Sequence, residues 1–99
     1  LFAIEKHDVK ILEGIFPEET GYLLAGSLKF IHIDVDVYQS ARDIVEWCFD
    51  RMVPGAIIIF DDYGFSGTDG VTRLCEEYEV DDRFVFMSNA NGHALLIKR

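Results

Sequence analysis

Leu28-Lys29-Phe30-Ile31-His32-Ile33-Asp34-Val35-Asp36-Val37-Tyr38 and Ala56-Ile57-Ile58-Ile59-Phe60-Asp61-Asp62-Tyr63 decide the fold of this chain. Each is an apolar run that stops at aspartates. A run such as 56–60, apolar at every position, suits a strand covered on both faces, as in a parallel sheet. Ligands of open parallel sheets bind just beyond the carboxyl ends of the strands. The two segments therefore place four carboxylates, those of Asp34, Asp36, Asp61 and Asp62, at the edge where chemistry is expected. Like charges gathered in one place are costly unless a cation joins them, so the cluster points to a divalent metal.

Working outward, the chain alternates strand and helix patterns. Val9 to Glu13 reads as a short strand ended by Gly14, preceded by a helix tail over residues 1–8. Pro17-Glu18-Glu19 can open a short helix, with proline early and acids near the positive end of its dipole. Leu28 to Ile33 is the next strand. Ala41, Ile44, Val45, Cys48, Phe49 and Met52 recur at helical spacing, with Ser40 as the N-cap and Asp43 three residues later. Pro54-Gly55 ends that helix. Ala56 to Phe60 follows as the central strand. Val71, Leu74, Cys75 and Tyr78 mark a second amphipathic helix, with Thr68 or Asp69 near its start. Phe84 to Met87 and Ala94 to Lys98 flank Ser88-Asn89-Ala90-Asn91-Gly92, which is turn chemistry, so they form an antiparallel hairpin. The sum is a three-layer α/β sheet, Rossmann-like, with parallel strands and a terminal antiparallel hairpin.

Composition narrows the function. A net charge of −9 on 99 residues argues against general nucleic-acid or anionic-membrane binding, because phosphate attraction needs a basic face. No stretch approaches the roughly 18 apolar residues of a membrane span. The opening residues Leu1-Phe2-Ala3-Ile4 carry neither a Met nor a basic region, so they read as an interior cut of a longer chain rather than a signal peptide. Cys48 and Cys75 sit within helical patterns and match no zinc spacing. They read as buried free thiols, which suits a reducing, cytoplasmic setting.

Asp34-Val35-Asp36-Val37-Tyr38-Gln39-Ser40, then Pro54-Gly55 through Asp61-Asp62-Tyr63-Gly64, resembles the macrocin O-methyltransferase family. The likeness extends from about Val9 to Lys98, with Gly14-Ile15-Phe16-Pro17-Glu18-Glu19-Thr20 as a further matching segment. It implies a class I S-adenosylmethionine-dependent methyltransferase acting on sugar hydroxyls. It also implies that residues 1–99 are one partial domain, the carboxyl-terminal half of the catalytic domain. The glycine-rich cofactor turn and the ribose-binding acid of that family match nothing here, so the isolated piece is expected to bind S-adenosylmethionine poorly and to be inactive alone. By the same resemblance Asp34, Asp61 and Asp62 match divalent-metal ligands for Mg2+ or Mn2+. Asp34 and Asp36 are the catalytic candidates, Asp36 orienting a substrate hydroxyl or serving as base, and Tyr38 and Tyr63 line the acceptor pocket. The expected partner is a small molecule bearing a hydroxyl. Strands left without their family neighbours predict self-association, or a Val9–Glu13 strand moved beside Leu28–Ile33.

Other readings exist. Aspartates after a strand can cap a helix or fill a turn. Asp-x-Asp followed by Asp-Asp also resembles haloacid-dehalogenase-type, magnesium-dependent phosphatases, although only one helix intervenes here. Phosphate-receiver domains use such acids in the reverse order. A non-catalytic assembly module is a further alternative. Trp47 reads as a partly covered helix residue and His32 as a hydrogen-bonded core residue. His7 reads as solvent-facing, His93 as the residue opening the last strand. Glu76, Glu77, Glu79, Asp81 and Asp82 read as a solvated face and loop.

Overall fold

The computed structural model describes residues 11–61, 63, 69–89 and 91–99. A 3-10 turn at Gly21–Leu23 leads into β1 (Leu28–Ile33), α1 (Tyr38–Phe49), β2 (Met52–Phe60), α2 (Asp69–Glu79), β3 (Phe84–Ser88) and β4 (Ala94–Lys98). The four strands form one sheet in the order β1-β2-β4-β3. β1 and β2 run parallel, whereas β4 is antiparallel to both β2 and β3. The strand-helix-strand crossover and the terminal hairpin are thus the expected ones.

Alternation along β2 explains where the core sits. Ala56, Ile58 and Phe60 are buried, as are Ile33, Ala94 and Leu96 on the neighbouring strands. These side chains share one sheet face and meet Ala41, Val45 and Cys48 of α1 and Val71, Leu74, Cys75 and Tyr78 of α2 in a single cluster. Burying a large apolar side chain such as Phe60, Phe84 or Leu74 contributes about 1.5–3 kcal/mol each. Both described helices therefore cover the same face. The opposite face carries Phe30, Ile57, Ile59, Leu95 and Ile97; Phe30 is 60% exposed. Of the three layers expected, the described residues supply two.

Element ends differ from expectation for local reasons. α1 begins at Tyr38, and Ala41 N–H donates to Val37 O at 3.0 Å. Ser40 is therefore inside the helix, and Val37 stands at its N-cap with no side-chain cap bond. α1 also stops at Phe49, and β2 starts at Met52, ahead of Pro54-Gly55. The strand accommodates that pair by an irregularity: the pairing slips between Leu28–Met52 and Phe30–Ile57, and Gly55 takes φ +89°. Proline lacks a ladder donor and glycine tolerates positive φ, so the two residues sit where pairing is interrupted.

Upstream of β1 the described residues hold no strand. Ile11–Glu13, the described part of the expected 9–13 strand, is irregular and Ile11 is exposed, while residues 1–10 lie outside the described residues. Neither this segment nor any other described one pairs with the free edge of β1. Pro17-Glu18-Glu19 forms turns instead of a regular helix, through Glu19 N–H to Ile15 O at 2.7 Å and Gly21 N–H to Pro17 O at 2.9 Å. Phe16 from this segment meets Trp47 of α1 edge-on, with ring centroids 4.9 Å apart. Trp47 is partly covered, and Arg51 lies 3.8 Å over its ring.

Candidate functional site

Register puts the two acidic segments side by side. Ile33 of β1 pairs with Phe60 of β2, so Asp34 and Asp61 each follow a paired position at the same edge. Asp61 N–H donates to Ile33 O at 3.3 Å, carrying the parallel ladder one step further. Asp34 and Asp36 are exposed, and the Asp61 side chain is about one-third exposed. Such carboxylates offer hard oxygen donors of the kind a magnesium or manganese ion takes. Among the described residues no group of three His, Cys, Asp or Glu side chains is arranged to hold a metal ion. Asp62, expected as the third ligand, lies outside the described residues.

Two histidines meet Asp61. His93 Nε2 lies 3.2 Å from Asp61 Oδ1, and His32 Nε2 lies 3.7 Å from the same oxygen. His32 is thus no core residue: its side chain is about half exposed on the open sheet face, because residues 30 and 32 alternate away from the helices. With Phe30, Ile59, Asn89 and Leu95 the two imidazoles surround a hollow of about 510 Å³ beside Asp61. Its lining combines three apolar and three polar side chains, a make-up that suits a small molecule. His93 could have been found from register alone. β4 is antiparallel to β2 with Ala94 opposite Phe60, which sets residue 93 across from residue 61.

The tyrosines make other contacts. Tyr38 donates its hydroxyl to the Glu77 carboxylate on α2, and Arg73 lies 4.3 Å over its ring. Gly70 makes that approach possible, since a Cβ there would stand 3.2 Å from the Tyr38 backbone nitrogen. The Tyr63 ring meets Phe86 of β3 edge-on at 5.9 Å, and its backbone N–H donates to Gly92 O at 2.7 Å. Burial, then the nearby Glu76 and Glu79 charges, push the Tyr63 phenol up. Of the acids read as a solvated face, Glu77 thus braces the helices through Tyr38. Asp81 pairs with Arg83 at 2.8 Å, and Arg83 also reaches Glu46 on α1 at 2.9 Å.

A parallel strand pair with carboxylates at its open end, continued by an antiparallel hairpin whose last strand inserts next to the pair, is the class I methyltransferase type of sheet. The chain belongs to the macrocin O-methyltransferase (TylF) family, which it matches over residues 1–85. It is 32% identical over 82 residues to an 8-demethyl-8-(2,3-dimethoxy-α-L-rhamnosyl)-tetracenomycin-C 4'-O-methyltransferase from Streptomyces olivaceus, covering 82% of this chain and 31% of that protein. The chain thus spans about a third of this relative's length. Two solved structures share the fold. A rRNA methylase from Streptococcus thermophilus superposes with TM-score 0.65 at 16% identity, over 98% of this chain and 63% of the other. An O-methyltransferase from Bacillus cereus in complex with SAH gives TM-score 0.53 at 19% identity, over 82% and 45%. The family match leaves no place for the phosphatase and receiver alternatives. No described helix is long and apolar enough to cross a membrane.

Proposed function

We propose that these residues serve an S-adenosylmethionine-dependent, divalent-metal-assisted O-methyltransferase that modifies a hydroxyl of a small molecule, a sugar. The observation that carries the reading is the placement of Asp34 and Asp61 at adjacent ends of paired parallel strands, in a chain of an O-methyltransferase family. The curated relative, by its name, methylates the 4'-oxygen of a rhamnosyl group, which favours a sugar acceptor. The Bacillus cereus neighbour was crystallised with SAH, which favours S-adenosylmethionine as donor.

Asp34 and Asp61, with Asp62, would hold Mg2+ or Mn2+; when bound, the ion makes an acceptor hydroxyl more acidic. Asp36, exposed two residues beyond Asp34, would take the proton of that hydroxyl. The hollow beside Asp61 would receive the apolar side of the acceptor on Phe30, Ile59 and Leu95. Methyl transfer then depends on lining up oxygen, carbon and sulfur. The 99 residues contain no Gly-x-Gly-x-x-Gly turn, so none of them is assigned to the methyl donor.

Manganese titration followed by paramagnetic broadening of amide signals tests this reading. Broadening should centre on residues 34–36 and 61, and Asp34→Asn should abolish it. Broadening confined to Glu76–Asp82 would reject the site. Calorimetry with S-adenosylmethionine should show little heat for this chain alone; tight stoichiometric binding would contradict the assignment of no donor contacts.

A further inference from the structure

The Asn89–His93 turn settles which nitrogen of His93 carries its proton. Asn89 Oδ1 faces two backbone N–H groups, those of Asn91 at 2.9 Å and His93 at 3.1 Å. A backbone N–H can only donate, so this end of the amide is its oxygen. The other end, Nδ2, therefore faces His93 Nδ1 at 3.3 Å. An amide nitrogen has no lone pair to offer, so Nδ1 must be the acceptor. A neutral imidazole that accepts at Nδ1 carries its hydrogen at Nε2. That Nε2 stands 3.2 Å from Asp61 Oδ1. The Asn89 amide thus donates to the imidazole, whose other nitrogen lies within ion-pair distance of the Asp61 carboxylate.

We propose that His93, held by Asn89 as the Nε2–H tautomer, is a positioning residue that fixes the Asp61 carboxylate by occupying Oδ1 and leaving Oδ2 for the ligand. This rests on the reading of Asp61 as a metal-binding acid. The partner comes from a different element: His93 immediately precedes β4, whose pairing of Ala94 with Phe60 sets the approach. The turn is held to the strand ends by backbone bonds as well, Asn89 N–H to His93 O at 3.1 Å and Tyr63 N–H to Gly92 O at 2.7 Å. The imidazole is therefore anchored on both sides of the residue that carries it. His32 does not share the task, because 3.7 Å is too long for a hydrogen bond. Orienting bonds of this kind to a ligating carboxylate change metal affinity by about 10–100-fold when removed.

Two measurements on the intact chain test the proposal. Nitrogen-15 NMR of the histidine ring at a pH where it is neutral should show His93 as the Nε2–H form, and Asp61→Asn should shift its Nε2 signal. Manganese alone, titrated with relaxation detection, should bind about 10–100-fold more weakly to His93→Leu. His93→Gln, whose side-chain amide can donate from a similar place, should recover affinity to within about threefold; a purely structural role in the turn predicts no such rescue. A wild-type His93 in the Nδ1–H form overturns the proposal. So does equal affinity of wild type, Leu and Gln variants while Asp61→Asn loses the ion. Manganese binding unchanged by Asp61→Asn overturns the metal reading instead, and the ring tautomer and its response to Asp61→Asn then decide the contact on their own.

Discussion

Alkaline pH should destabilise this domain through its two thiols. Cys48 and Cys75 belong to the buried core and are almost wholly inaccessible. Burial pushes Cys48 up to about 11 from 9.0, against a smaller opposing effect of Arg51. Burial, reinforced by the Glu76 charge, pushes Cys75 up to about 12. The unfolded chain releases both protons near pH 9, whereas the folded chain keeps them for two to three units more. Raising the pH therefore favours the unfolded state. The stability due to the protonated thiols is fully present below pH 9 and is lost as pH rises through 11 and 12. Each thiol contributes a slope of about 1.4 kcal/mol per pH unit once its unfolded form is ionised, so the pair should remove about 2.5 kcal/mol between pH 8 and pH 10. That is a large part of the roughly 5–15 kcal/mol that holds a domain folded. Urea unfolding at pH 8, 9 and 10, read by Trp47 fluorescence and circular dichroism, measures it. Cys48→Ala/Cys75→Ala should be weaker at pH 8, because two small cavities open, yet lack the steep alkaline loss. Tyr78, whose phenol burial and Glu46 also push up, is common to both proteins and cancels in the difference. Equal pH dependence of the two would refute the reasoning.

Three further outcomes are expected. Gly21→Ala would place a Cβ 3.0 Å from Trp47 Nε1 and 3.1 Å from Pro17 Cβ; overpacking there should cost about 1–3 kcal/mol and shift the emission of the single tryptophan, and an unchanged spectrum with unchanged stability would oppose it. Arg83 holds the Glu46 and Asp81 carboxyls below their ordinary values of 4.5 and 3.8 through its hydrogen bonds. Stability from that pairing is present above those values and lost as pH falls below them, so Arg83→Met should flatten acid unfolding by up to about 1 kcal/mol, these groups being partly exposed to solvent. The free edge of β1, with Phe30 60% exposed, should drive self-association; light scattering should show it at high concentration and Phe30→Lys should reduce it, while a strict monomer at every concentration would contradict it.

Much of this architecture was legible where one physical signal dominated. Leu28–Ile33 and Ala94–Lys98 are strands over the expected spans because apolar runs with clear turn residues around them admit little else. The helix ends were harder to read. Ser40 has good capping chemistry, but the chain turns helical three residues before Ala41, so its hydroxyl is not where the first free N–H groups are. Pro54-Gly55 looked like a stop and instead lies within a strand, because the partner β1 can slip its register there. For the site, the acidic strand ends were visible and their adjacency followed from parallel pairing. The histidines were not visible as partners of Asp61. The approach of His93 depends on the insertion of β4 beside β2, and that of His32 on the side of the β1–β2 pair that it faces, long-range facts that no local pattern carries. Tyr38 shows the same limit, since its contact with Glu77 spans 39 positions.

The placement of β4 also governs how the chain can be made. In the sheet it lies between β2 and β3, yet it is synthesised after both. Once residues 84–88 are outside the ribosome while 94–98 are still inside its tunnel, β3 has no strand beside it and the inner flank of β2 is bare. Only when 94–98 clear the exit tunnel can one short segment join the two halves, and Lys98 then reach the carbonyls of Phe49 and Met52 at 2.8 and 2.9 Å. A nascent chain held with 94–98 still in the tunnel would therefore present unpaired edges on both β2 and β3, the state in which a holding chaperone has most to grip.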